Sequence, residues 1–303
     1  MAQPLMRSAA VVGTGLIGTS IALALRGRGL VPYLIDADPA AARLAADLGA
    51  GVVGVPRTPV DLAVIAVPPR HVATVLRQQQ LQGLAHDFTD VASVKERIQH
   101  EAAALGCDLT RFVGGHPMAG RERSGPLAAR EELFRDRPWV LTPAGDAHGR
   151  ALDRATRLAE LCGARPVLMD PRRHDRAVAL VSHAPHVVAS LLAARLVRGD
   201  ASELGLAGQG VRDATRIAGG DPDLWTDILG ANAAAVVDVL TEFAGELDTV
   251  VEALRALVDG PPEGRPAARG HLNTLLVRGV DGRDRLPGRS PGEARLSGAA
   301  AGA

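Results

Sequence analysis

The chain has 303 residues, long enough to bury a sizeable core and to form two domains of ordinary size. It is 47% hydrophobic and carries 34 basic against 34 acidic side chains. It therefore lacks the net basic charge that nucleic acid or an anionic membrane rewards, and neither is expected as the main partner. The two cysteines, Cys107 and Cys162, stand far apart and in no metal-ligand spacing, which argues against a disulfide framework or a cysteine zinc site and fits a reducing cytoplasm.

Residues 8–25 are uncharged and largely apolar, so a hydropathy scan would take them for a signal peptide or a membrane span. Three glycines interrupt the run in a pattern with its own meaning, and no other stretch reads as long and apolar enough to cross a bilayer. Residues 9–13 form a short apolar strand, Gly13-Thr14-Gly15-Leu16-Ile17-Gly18 follows, and residues 19–28 read as a helix. GxGxxG between a strand and a helix is the setting in which this pattern binds a dinucleotide. Gly13 permits the turn, Gly15 lets the backbone approach a pyrophosphate, and Gly18 allows close packing of helix on strand. The helix N-terminus offers unpaired N–H groups to the phosphates, and Leu16 and Ile17 of the motif are counted with the glycines as cofactor-binding residues.

The next strand, residues 33–36, ends in Asp36, 18 residues after Gly18. A carboxylate there accepts hydrogen bonds from ribose hydroxyls and repels a 2′-phosphate, so NAD is expected rather than NADP. Capping a helix ahead of Pro39 is a compatible second role for Asp36. Residues 61–67 (DLAVIAV) are a continuous apolar run, as a buried parallel strand requires. They end at Val67, Pro68 and Pro69, which places a loop at the carboxyl end of the strand, where such folds bind ligands. Alternation continues with helices near 70–81 and 94–105 and strands near 87–91, 112–115, 139–142 and 167–169. The expected fold is α/β, an N-terminal doubly wound parallel sheet of Rossmann type over residues 1–170, followed by an all-helical domain over 171–260.

In that second half, helices are read at 172–198, 210–219 and 232–258. Val236, Val239, Leu240, Phe243, Leu247, Val250, Val251 and Leu254 recur mostly at three- and four-residue steps, an apolar stripe for helix packing. Beyond it the composition shifts to Pro, Gly and Arg, and residues 261–303 read as a partly ordered tail, with 272–277 as a candidate short strand.

Four further segments carry chemistry. They are Asp90-Val91-Ala92-Ser93-Val94-Lys95; Gly114-Gly115-His116-Pro117-Met118-Ala119-Gly120 with Glu122 and Ser124; His174-Asp175 with Ser182-His183-Ala184-Pro185-His186; and Thr215-Arg216-Ile217-Ala218 leading to Asp221-Pro222 and Trp225-Thr226-Asp227-Ile228. In this order, and with the glycine turn, they resemble the prephenate dehydrogenase family over roughly residues 9–250. The resemblance implies that hydride passes from C4 of prephenate to NAD, the 4-hydroxyl loses its proton and carbon dioxide departs as the ring becomes aromatic. It gives His116 as the catalytic histidine, whose neutral imidazole accepts that proton near pH 7, with Ser93 bonded to the same region. It gives Arg216 as the partner of a substrate carboxylate, a task suited to paired guanidinium donors.

Each role has a plainer rival. His116 could be a buried histidine holding its loop, Arg216 could pair with Asp213, and Lys95 is read preferentially as a solvated side chain in a first helical turn. If residues 171–196 form one helix, His174, Ser182 and His186 share a side, but His174 and His186 stand about 18 Å apart along its axis unless Pro185 bends it. Ser182 and His186 are therefore the expected substrate contacts, with His174 nearer the domain junction. No carboxylate completes a metal-ligand set with these histidines. The family's helical domain pairs with its copy, so a homodimer is expected and Trp225 is expected to reach the neighbouring subunit's site. Too few residues follow the linker for a regulatory ACT domain. Arogenate dehydrogenase and 4-amino-4-deoxyprephenate dehydrogenase are sibling readings that no single residue separates.

Overall fold

The computed structural model describes residues 6–120, 125–145, 147 and 149–286; Glu122, Ser124 and the tail from residue 287 lie outside the described residues. Eight strands form one sheet: β1 (Ala9–Val12), β2 (Tyr33–Ile35), β3 (Val52–Val53), β4 (Val60–Ile65), β5 (Ala85–Asp90), β6 (Phe112–Pro117), β7 (Pro138–Pro143) and β8 (Arg165–Leu168). Their order is β3-β2-β1-β4-β5-β6-β7-β8. The pairs from β3 to β6 are all parallel. Exposed Val52 and Val53 of β3 give no apolar run, which is why that strand was not anticipated.

The sheet is not wholly parallel as expected, because β7 runs antiparallel to β6, and β8 then follows β7 in parallel. A parallel pair needs a crossover that carries the chain back to the starting edge, usually a helix. Between β6 and β7 the described residues supply only a short 3-10 turn, Pro126–Ala128, so the next strand enters from the opposite end.

The helices α1 (Leu16–Gly27), α2 (Pro39–Asp47), α3 (Pro69–Leu81), α4 (Glu96–Ala104) and α5 (Gly149–Leu161) belong to this part of the chain. Period-two alternation divides the strands between two cores. Ala9 and Val11 of β1 and Leu62 and Val64 of β4 join Ile21, Leu25, Phe134, Trp139 and Leu158. Ala10, Val12, Ala63 and Ile65 join Val72, Leu76, Phe88, Ile98 and Phe112. Each large side chain buried this way contributes roughly 1.5–3 kcal/mol. The result is a rigid sheet whose six parallel strands all end at one edge, where Gly13, Asp36, Val67, Ser93 and His116 lie.

Residues Pro171–Leu196 continue as α6 (Pro171–Val178), a π-helical turn (Ala179–His183) and α7 (Ala184–Leu196). Proline has no N–H and its ring crowds the carbonyl four residues back, here Val181, so the ladder is relieved by a wider turn just before Pro185. By length and composition this run is apolar enough to cross a membrane, contrary to the sequence expectation, and a third of its apolar window is buried within the protein. The same run carries the buried polar groups His174, Asp175, His183 and His186.

There follow α8 (Ala201–Leu204), α9 (Gln209–Thr215), a 3-10 turn (Arg216–Gly219), α10 (Pro222–Ala231), α11 (Ala233–Asp259) and α12 (Arg265–Asp284). The chain divides into two compact units, residues 1–239 and 240–303. In the second, α12 takes up residues 265–284 of the expected tail and stands in place of the strand at 272–277. Pro266 sits in its first turn, where a missing N–H costs nothing, and the Arg278 guanidinium donates to Glu246 Oε1 at 2.6 Å.

Candidate active site

The turn after β1 is shaped by what glycine lacks. Gly13 has φ +101°, and a Cβ there would overlap the Ala66 carbonyl; a Cβ on Gly18 would overlap the carbonyl of Gly13. These two glycines are demanded by the protein's own packing. Gly15 differs, since a Cβ there would meet nothing within 4 Å. It is the N-cap of α1, with no side chain capping the helix, and Leu16 and Ile17 open the first turn. The open space therefore lies over backbone N–H groups that a helix leaves without internal partners, which fits a pyrophosphate.

Asp36, just beyond β2, is tied to that turn. Its Oδ2 accepts from Thr14 N (2.6 Å) and Thr14 Oγ1 (2.8 Å), and its Oδ1 accepts from Asp38 N (2.9 Å). A carboxylate has acceptor capacity beyond these three bonds. The helix-capping role considered for Asp36 belongs instead to Asp38, which accepts from Ala40 N at 2.8 Å. Val67 and Pro68 follow β4, Val67 partly buried beside Gly13 and Pro68 exposed at the start of α3.

The chemistry-bearing segments meet at the ends of β5 and β6. Lys95 is not the solvated side chain expected: it is 1% exposed and paired with Asp90. Its Nζ also donates to the Gly115 carbonyl at 2.6 Å. Asp90 in turn accepts from Gly115 N (3.0 Å) and Ala92 N (3.0 Å). The sole lysine of the chain thus neutralises a buried carboxylate that pins β6 immediately before His116. Burial draws the Lys95 ammonium below its ordinary pKa, against the opposing pull of Asp90 and Asp175. Ser93 is partly buried in the loop that leaves β5.

His116 and His174 are in direct contact, with Nδ1 of His116 2.8 Å from Nε2 of His174 and the rings edge to face. His174 Nδ1 lies 2.7 Å from Asp175 Oδ1. Asp175 Oδ1 also accepts from Lys95 N (2.8 Å), and its Oδ2 accepts from Glu96 N (2.9 Å) at the start of α4. His174, set aside in the sequence reading, therefore stands against His116. Helix spacing relates His174 only to residues of its own helix, such as His186, and does not place β6 beside α6. His116 is held well below the ordinary histidine pKa, first by burial and then by His174, Lys95 and His183.

Further along, the Asn232 side chain bridges the Asp175 carbonyl (2.8 Å) and His183 Nδ1 (3.0 Å). Burial pushes His183 down to about 4. His186 is buried, stacked on Trp225 with centroids 3.5 Å apart, and its Nδ1 has no hydrogen-bond partner among the described residues. Trp225 thus packs on a histidine of its own chain. Gly220 lies against the same pair, leaving no room for a Cβ beside the indole. Ser182 is partly buried in the π-helical turn. Arg216 is exposed at the head of a 3-10 turn packed on α7, and Asp213, its suggested ion-pair partner, accepts from Gln209 Nε2 at 2.8 Å. No group of three potential metal-ligating side chains occurs among the described residues.

Models of the prephenate dehydrogenase nucleotide-binding domain and of the prephenate dehydrogenase dimerization domain match residues 21–168 and 170–260. Over 290 residues the chain is 46% identical to the probable prephenate dehydrogenase NovF of Streptomyces niveus, covering 94% of this chain and 78% of that protein. It is 32% identical to prephenate dehydrogenase of Bacillus subtilis, over 79% of this chain and 68% of the other. Among solved structures, prephenate dehydrogenase from A. aeolicus in complex with hydroxyphenyl propionate and NAD+ superposes with TM-score 0.79 and 27% identity, covering 92% of this chain and 99% of that one. Synechocystis arogenate dehydrogenase superposes with TM-score 0.74 and 29% identity, over 92% and 99%. Both domain models fall in order across the glycine turn's helix, the His116 strand and the histidine-bearing helices, and the chain belongs to the prephenate dehydrogenase family.

Proposed function

We propose that this protein converts prephenate to 4-hydroxyphenylpyruvate with NAD as oxidant, a step of tyrosine biosynthesis, as a cytoplasmic homodimer. The observation that carries the reading is His116: a partly buried imidazole, held well below the ordinary histidine pKa, at the same sheet edge as the open turn over α1. The turn at Gly13, Gly15 and Gly18 with Leu16, Ile17, Val67 and Pro68 holds the dinucleotide, and Asp36 takes the ribose hydroxyls. NAD, when bound, accepts the hydride from C4 of the substrate.

The chain's own residues then handle one proton and a substrate carboxylate. His116 accepts the proton of the 4-hydroxyl, Ser93 hydrogen-bonds the same region, and Arg216 engages a substrate carboxylate. Ser182 and His186 line the substrate's other side, where His186 Nδ1, without a hydrogen-bond partner among the described residues, offers a polar contact. Loss of carbon dioxide and aromatisation of the ring supply the driving force, so positioning is the protein's main task. Residues 1–170 and 171–260 act as nucleotide-binding and substrate-binding domains, the latter carrying the dimer contact.

The similarity to an arogenate dehydrogenase structure keeps the amino-acid analogue as a second reading. NAD reduction measured side by side with prephenate, arogenate and 4-amino-4-deoxyprephenate tests the choice. The highest kcat/KM is expected with prephenate; a clear preference for either analogue would reassign the substrate.

A further inference from the structure

The hydrogen-bonded chain Asp175–His174–His116 decides where protons sit. Asp175 is met by three donors: the backbone N–H groups of Lys95 and Glu96 and the His174 ring, at 2.7–2.9 Å. With two backbone donors already on it, the carboxylate acts as an acceptor throughout, so His174 carries its proton on Nδ1. In a neutral imidazole the other nitrogen is then bare, and His174 Nε2 is an acceptor. It faces His116 Nδ1 at 2.8 Å, and two bare nitrogens would repel. His116 therefore carries its own proton on Nδ1 and leaves Nε2 with a free lone pair.

We propose that Asp175 and His174 are positioning residues that lock His116 in the Nδ1–H tautomer, with Nε2 as the site that accepts the substrate's proton. This rests on the reading of His116 as the base. An imidazole in water prefers its proton on Nε2, the tautomer that cannot accept there, so something must reverse that preference. A carboxylate placed directly against His116 would do so, but it would also stabilise the imidazolium and raise the pKa. An interposed neutral imidazole fixes the tautomer and orients the ring without that cost. The other charged and titratable groups facing His116 are Lys95, already paired with Asp90, and His183 on the π-helical turn; neither favours a second positive charge.

The test uses the full chain labelled with 15N-histidine, free of substrate, at pH 7.5. Long-range 1H–15N correlation spectra report the protonated nitrogen of each ring, and the signals lost in His116→Asn assign His116. The expected pattern is a protonated Nδ1 and a bare Nε2 on His116. His174→Phe keeps an aromatic of similar volume but removes the acceptor. It should move the His116 proton toward Nε2 and lower kcat about ten- to a hundredfold, leaving NAD affinity unchanged. His174→Gln, whose amide oxygen reaches the same point, should restore part of both. Because the two residues act through one chain, Asp175→Ala should add little to His174→Phe. A wild-type His116 protonated on Nε2, or a His174→Phe enzyme with unchanged tautomer and kcat, would overturn the proposal. The Nδ1–H tautomer in an enzyme that reduces no NAD with any of the three substrates would instead overturn the functional reading and leave the proton placement standing.

Discussion

A neutral base is useful only while it stays neutral, and burial at the end of β6 keeps His116 so. Its protonation in the free enzyme falls below the ordinary histidine range, so kcat/KM should stay flat from neutral pH upward and drop only on the acid side. His116→Asn retains a hydrogen-bonding side chain but cannot take the proton. It should cut kcat by about 10²–10⁴-fold and abolish the acid limb, while NAD affinity holds. A variant with wild-type kcat and the same limb would assign the proton elsewhere. Asp36 is tested through cofactor choice: wild type should favour NAD over NADP at matched subsaturating concentrations, and Asp36→Ala should narrow the ratio. Because Asp36 also receives Thr14 N and Oγ1, the variant should raise the KM for NAD as well. Lys95 answers to stability. Removing one partner of a buried pair leaves a bare charge, so Lys95→Met should destabilise by about 3–5 kcal/mol in a urea titration. Loss below about 1 kcal/mol would mean that Asp90 is relieved by its backbone donors alone.

At the scale of elements, the run from α6 to α7 gathers histidines whose burial opposes charge. His183, pushed to about 4 and held by Asn232, is the clearest case. Its folded pKa lies below its unfolded value of about 6.5, so between these two the unfolded chain binds the extra proton. Stability is therefore fully present above about pH 6.5 and falls as pH drops toward 4. His116 and His186, both shifted downward, steepen the same slope. Denaturant midpoints at pH 7.5, 6 and 5 should decline in wild type and decline less in His183→Gln; parallel curves would contradict the assignment.

For the whole molecule, the apolar stripe on α11 is exposed along much of its length among the described residues. Phe243, Leu247 and Leu254 are each more than 40% exposed, as are Leu276 and Val280 on α12. Apolar surface on this scale marks an interaction site, and the match to a dimerization domain over residues 170–260 agrees with a second copy as the cover. Light scattering should give a dimer, and Leu247→Glu with Leu254→Glu should yield monomer or lose solubility. Truncation after Leu286 should leave folding, dimer and activity nearly intact. A cut before Arg265 removes α12 and the Arg278–Glu246 contact and should not be neutral. Equal behaviour of the two truncations would show α12 to be dispensable.

Local pattern was enough for much of this chain. Most strands of the sheet, though not β3, announce themselves as apolar runs, the glycine turn by a strand before it and a helix after it, and family membership by motifs in sequence order. These are short-range features, written in neighbouring residues. What depended on the tertiary structure was every contact between distant segments. Lys95 reads as a surface residue until Asp90 and Gly115 close around it, and His174 looks remote until α6 is laid against β6. The reversal of β7 follows from a connection without a crossover helix, and composition alone made α12 look like a tail. Periodicity reports which side of an element is apolar; it does not say which element packs there, and a buried polar group is defined by that neighbour. The proton order along Asp175, His174 and His116 therefore belongs to the fold, because three residues spanning 59 positions of sequence exchange hydrogen bonds only once the chain has folded.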